Sequence, residues 1–174
     1  MADIEESIQP QPAEPDHPIL VAIDFSENSR AALYWACVLA GCTRARLVLL
    51  HVIHDPACSP GFYQTGGKDG LQPMDAIAES MLAEFLAESI QQRPDLEILQ
   101  RTEMRLAEGL PPGRIVEIAD LLDARLIVLG SRGISGLPHV LLGSVAERVV
   151  SQAERSVAVI RTAKDEKPET LSDG

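Results

Sequence analysis

Short aliphatic runs alternate with helical stretches along this chain, and that alternation limits the possible folds more than any other feature. Ile19–Ile23 (Ile-Leu-Val-Ala-Ile) is a run of β-formers that ends at Asp24. Ala31, Trp35, Val38, Leu39 and Cys42 follow at helical spacing. They predict a helix over 27–40, with Ser26 as N-cap and Gly41 at the C-terminal end. Residues 46–53 (Arg-Leu-Val-Leu-Leu-His-Val-Ile) read as a second buried strand, and 55–72, rich in Gly and Pro, as a long loop. Ile77, Met81 and Phe85 with Ala78 and Leu82 predict an amphipathic helix over 74–91. Residues 97–106 alternate loosely and read as a strand nearer an edge. Pro112–Asp123 reads as a helix through Ile115, Ile118, Ala119 and Leu122, and 125–129 as a strand. A glycine-bearing loop spans Gly130 to Gly143, followed by a helix over 144–153 and a last strand over 156–161. This order predicts an α/β fold, a doubly wound five-stranded parallel sheet with helices on both faces.

Length and charge narrow the function. The 174 residues suit one domain, and 15 Lys+Arg against 26 Asp+Glu give a net charge of −11. That sign argues against nucleic acid, whose phosphates require cationic neutralisation. Residues 1–17 carry five acids and no Lys or Arg, and 163–174 carry four acids and two Lys. Both stretches are expected to be disordered tails around a domain at 18–162. No apolar run approaches the roughly 18 to 20 residues of a membrane span. The N-terminal stretch lacks the basic and apolar regions of a secretory signal. Cys37, Cys42 and Cys58 have no metal-type spacing and read as reduced thiols of a cytoplasmic protein, the first two in the core.

In sheets of this kind ligands bind beyond the carboxyl ends of the strands, where the strand order reverses. The oddest residues lie at two such ends. One is Asp24. The other is the loop opening Gly130-Ser131-Arg132-Gly133 and closing Gly143-Ser144. Gly130 lets backbone approach a ligand, and Gly143-Ser144 opens a helix whose free N–H groups suit an anion. Ser144 and Glu147 equally fit a capping box, so phosphate binding and plain capping both remain open here. Gly66-Gly67-Lys68 is not a P-loop, because Asp69 replaces the required Ser or Thr. His51 and His54, three apart on a strand, point to opposite faces and do not form a metal pair. His139 reads as a solvated loop histidine, and the acids of the 74–91 helix as its solvated face. Arg132 is a phosphate partner by charge, or a surface arginine. No nucleophile–base pair or metal cluster stands out, so the residues do not themselves argue for an enzyme.

The pattern Gly130-x2-Gly133-x9-Gly143-Ser144 resembles the nucleotide-binding motif of the universal stress protein family. Val21–Glu27, Leu49–Val52 and Leu141–Val149 are similar to that family's opening segment, second strand and last helix. The resemblance covers about 18–162. It implies strand order 3-2-1-4-5 and the subset of the family that binds ATP, with or without Mg2+. Carried over by position, Asp24 would hold the ribose or lie beside the nucleotide (its plain reading is an acceptor for nearby loop N–H groups), Val52 would meet adenine through its backbone, and Gly130 would approach the ribose. Gly133, Gly143, Ser144 and Val145 would hold the phosphates, with Ala22 and Arg132 completing the site. The resemblance further implies a homodimer paired through residues 156–161, a cytoplasmic nucleotide-dependent regulatory role and a protein partner it does not name. Ser156 stands where the family commonly has proline. The rival readings are a slow ATPase or phosphoryl- or nucleotidyl-transfer enzyme, and a nucleotide-free dimerising scaffold.

Overall fold

The strand Ile19–Ile23 (β1) is buried at every position, because the chain covers it on both faces. So is Leu47–Ile53 (β2). The computed structural model describes residues 17–54, 74–133 and 142–162. Both predicted tails apart from His17, the 55–72 loop, Cys58 and His139 lie outside the described residues.

The remaining strands are Glu103–Glu108 (β3), Leu126–Gly130 (β4) and Val157–Ile160 (β5). All pair in parallel, in the order β3-β2-β1-β4-β5. The helices are Glu27–Thr43 (α1), Met74–Gln92 (α2), Pro111–Leu121 (α3) and Ser144–Gln152 (α4). Strand alternation splits the core in two. Val21, Leu49 and Val128 meet Leu33 of α1 and Phe85 of α2 on one face. Leu20, Leu50 and Ile127 meet Ile118 of α3 and Val149 of α4 on the other. Each fully buried side chain of this size contributes about 1.5–3 kcal/mol, so the two layers hold the sheet in place. Strand order reverses between β1 and β4, and their carboxyl ends open side by side there. Among the described residues no helix is long and apolar enough to cross a membrane.

Two local expectations change. The 97–106 segment is not one strand. Glu97–Arg101 is a 3-10 turn, and β3 begins at Glu103. Leu99 donates its N–H to Leu96 O at 3.0 Å and drives its side chain into the core, 1% exposed, which takes this segment out of the ladder.

Helix α1 also differs. It runs through Gly41 and ends where Arg44 turns left-handed (φ 55°). Trp35 and Val38, expected inward, are 56% and 47% exposed, and Cys42 is exposed as well. The buried residues are Ser29, Arg30, Ala32, Leu33, Ala36, Cys37 and Ala40. The reason is proximity to the sheet. A Cβ on Gly130 of β4 would lie 2.8 Å from the backbone carbon of Asn28. A helix this close to a sheet takes small residues on its inner side and leaves no room for an indole. Ser26 caps α1 as expected, its hydroxyl accepting from Ser29 N at 3.2 Å.

Candidate functional site

A cavity of about 350 Å3 opens at the carboxyl ends of β1, β2 and β4. That is within the range of small-molecule sites, roughly 300–1,000 Å3. Ala22, Asp24, Val52, Gly130, Arg132, Gly133, Gly143, Ser144 and Val145 all line it, so the structure brings the nine residues singled out in the sequence to one place. Leu50, Pro111, Ile115 and Leu129 join Ala22 and Val52 as its apolar wall. Asp24 and the Gly130–Gly133 and Gly143–Ser144 segments supply its polar groups.

The end of β1 holds Asp24 in a fixed posture. Its Oδ1 accepts from Ser26 N at 3.1 Å and from Ser26 Oγ at 2.6 Å. Its Oδ2 lies only 2.5 Å from where a Cβ on Gly133 would stand. A side chain at 133 would therefore force the Asp24 carboxylate out of this posture. Between Asp24 and Ser26, Phe25 adopts φ 65°, a conformation that costs a residue with a Cβ about 1–2 kcal/mol. Its ring is anchored 4.3 Å from the His51 ring and 5.8 Å from that of Phe85. His51 is buried, with Nδ1 3.0 Å from Ile23 O. Burial pulls its pKa below the ordinary 6.5, against the opposing pull of that hydrogen bond and of the Asp24 charge. A carbonyl oxygen only accepts, so the neutral ring carries its proton on Nδ1.

Part of the polar wall is built on α4. Gly143 is the N-cap and Ser144 the first helical residue, which corrects the capping-box reading. A capping serine must precede the helix, and this helix has no side-chain cap at all. Its first N–H groups therefore stand at the cavity beside Ser144, Val145 and Ala146. Ser131, 1% exposed, fastens the two ends of the glycine loop. It donates its N–H to Ile160 O at 2.7 Å and accepts from Gly143 N at 2.7 Å. Gly130 has a second duty that the sequence reading gave only to a ligand, since its missing Cβ makes room for Asn28 of α1.

Helix α3 also points its start at the cavity, through Pro111. Prolines occupy its first two positions and have no N–H to offer, and its N-cap makes no side-chain hydrogen bond. Of these two helix starts, α4 is the donor-rich one. The backbone donors suited to an anion are therefore at the start of α4, while Val52, Pro111 and Ile115 supply apolar wall.

His51 and His54 both reach the cavity wall, but each is engaged with a carbonyl, Ile23 O and Gly109 O respectively. Among the described residues no cluster of His, Cys, Asp and Glu could hold a metal ion. Sequence reasoning missed Pro111, Ile115, Ser131, Phe25 and His51 as parts of the site. The Pro111-Pro112 pair was a readable signal of a helix start without donors. Nothing in the sequence marked Ser131 or the left-handed Phe25.

Comparison with known proteins gives a consistent relationship. The model of the universal stress protein family matches residues 17–161. Universal stress protein Sll1388 of Synechocystis is 30% identical over 155 residues, covering 82% of this chain and 96% of that protein. MJ0531 of Methanocaldococcus jannaschii is 49% identical over 65 residues, and that match covers 37% of each chain. The universal stress protein of Archaeoglobus fulgidus solved in complex with dAMP is 25% identical, with a TM-score of 0.55, over 84% of this chain and 99% of that one.

Proposed function

Because the chain belongs to the universal stress protein family, we propose that it binds an adenine nucleotide in this cavity, ATP with or without Mg2+, and acts as a cytoplasmic regulatory protein whose nucleotide state is read by a protein partner. One observation carries the reading: a single cavity brings together apolar walls, the Asp24 carboxylate and a donor-rich helix start. That combination of environments suits base, ribose and phosphates. The apolar walls take the purine, Asp24 accepts from ribose hydroxyls, and the α4 N–H groups with Ser144 take phosphate oxygens. A relative solved with dAMP supports the adenine class.

Asp24 and phosphate oxygens together are a fitting donor set for Mg2+, which commonly takes one carboxylate plus substrate phosphates. Asp24 is already committed to Ser26 through Oδ1, so it serves here as a holder and not as a general base. The regulatory role requires that nucleotide bind one conformational state better than another. Homodimerisation through β5 is part of the proposal. Its four residues are all half-buried at the sheet edge, and an edge strand offers unpaired backbone groups to a second copy.

The test is direct. Freshly purified protein is denatured, and the released small molecules are separated and weighed by mass spectrometry. Near-stoichiometric adenine nucleotide is expected. Absence of nucleotide, with no heat on adding Mg-ATP to millimolar concentration, would leave the nucleotide-free scaffold as the better account.

A further inference from the structure

Asp24 ends a strand, and nothing in its own hydrogen bonds to Ser26 fixes the direction in which that strand end leaves the sheet. The fixing contacts come from β2. His51 lies opposite Ile23 in the β1–β2 register. Its Nδ1–H donates to Ile23 O, the carbonyl immediately before Asp24, at 3.0 Å. Its ring, 4.3 Å from that of Phe25, backs the residue immediately after Asp24. Phe25 is held left-handed at φ 65° and is braced on its other side by Phe85. One imidazole thus grips the chain on both sides of the carboxylate. Gly133, lacking a Cβ, leaves the room in which Asp24 Oδ2 sits.

We infer that His51 is a positioning residue for Asp24, and that through Asp24 it sets how strongly the site recognises the ribose hydroxyls of its nucleotide. The inference rests on the nucleotide reading above and deepens it. His51 is buried behind Phe25 and acts through the shape of the β1 end.

Three variants separate the roles. H51F keeps a ring to stack on Phe25 and loses the donor. H51N returns an N–H near the position of Nδ1. H51Q keeps an amide but places it one methylene further out, and replaces H51F if that chain does not fold. Affinity is measured by calorimetry for ATP and for 2′,3′-dideoxy-ATP, which lacks both hydroxyls. The wild type should favour ATP roughly tenfold or more, the scale of a hydrogen bond to a charged group. In H51F or H51Q that ratio should fall toward one, and in H51N it should return. If the variants weaken both nucleotides equally and leave the ratio intact, His51 is merely structural and the inference is overturned.

A second readout needs no nucleotide. The Asp24 carboxyl 13C resonance of the ligand-free protein should move in H51F and return in H51N. An unmoved resonance overturns the positioning role whatever the protein binds. A moved resonance without nucleotide binding would instead overturn the nucleotide reading alone.

Discussion

Gly133→Ala tests the site where its geometry is tightest. The new Cβ would lie 2.5 Å from Asp24 Oδ2, closer than such atoms approach. The neighbour is the end of a side chain, so the carboxylate can swing away. Doing so breaks its 2.6 Å and 3.1 Å hydrogen bonds from Ser26. A hydrogen bond to a charged group contributes about 1.5–3 kcal/mol, so losing this posture should weaken nucleotide binding roughly tenfold to a hundredfold. Gly130→Ala is the control. Its Cβ would meet the backbone of Asn28 at 2.8 Å, and a helix cannot swing away. That substitution should destabilise the fold by about 1–3 kcal/mol, the usual result of overpacking. Calorimetric titration with Mg-ATP and denaturant unfolding are run on both variants. Gly133→Ala should lose affinity with a smaller loss of stability, and Gly130→Ala the reverse. Unchanged ATP affinity in a folded Gly133→Ala protein would refute the reasoning.

Further outcomes follow from the same structure. Gly41→Ala should stabilise the protein by about 0.5–1 kcal/mol, since Gly41 lies inside α1 with open space where a Cβ would stand, and thermal melting reads the gain. At neutral pH a maleimide should label Cys42, which is exposed, and spare Cys37, whose thiol burial pushes up to about 12; peptide mapping locates the label. His51 in the folded state resists protonation below its ordinary 6.5, while the unfolded chain accepts it. Stability should therefore fall as pH drops below 6.5, and His51→Asn should remove that part of the fall in denaturant titrations on either side of this pH.

The parallel sheet was legible because buried parallel strands advertise themselves, whereas its strand order came only with the family resemblance. Val21, Leu49 and Val128 sit in unbroken aliphatic runs that only a doubly covered sheet explains. The site was legible through its backbone demands, since Gly133 and Gly143 stand where side chains would crowd Asp24 or the Ser131–Arg132 backbone. The inner face of α1 was not legible. Periodicity favoured Trp35 and Val38, yet the close approach of Asn28 to Gly130 is a tertiary fact, and it selects Ala32, Ala36 and Ala40 instead. The role of Ser144 was ambiguous for a related reason. Capping box and helix start differ by a single residue of register, and the Glu147 N–H bond to Gly143 O makes Gly143 the N-cap. His51 stayed hidden because its partners, Ile23 O and the Phe25 ring, belong to another strand end.

The central claim is that one cavity takes an adenine nucleotide with its phosphates on the start of α4. Titrating the full chain with ATP and, separately, with adenosine tests it most directly. The account predicts saturation at about one ligand per chain, with ATP bound at least roughly tenfold tighter than adenosine, as expected for phosphate on an uncapped helix start. Adenosine binding as tightly as ATP, or no binding of either at millimolar concentration, would contradict it.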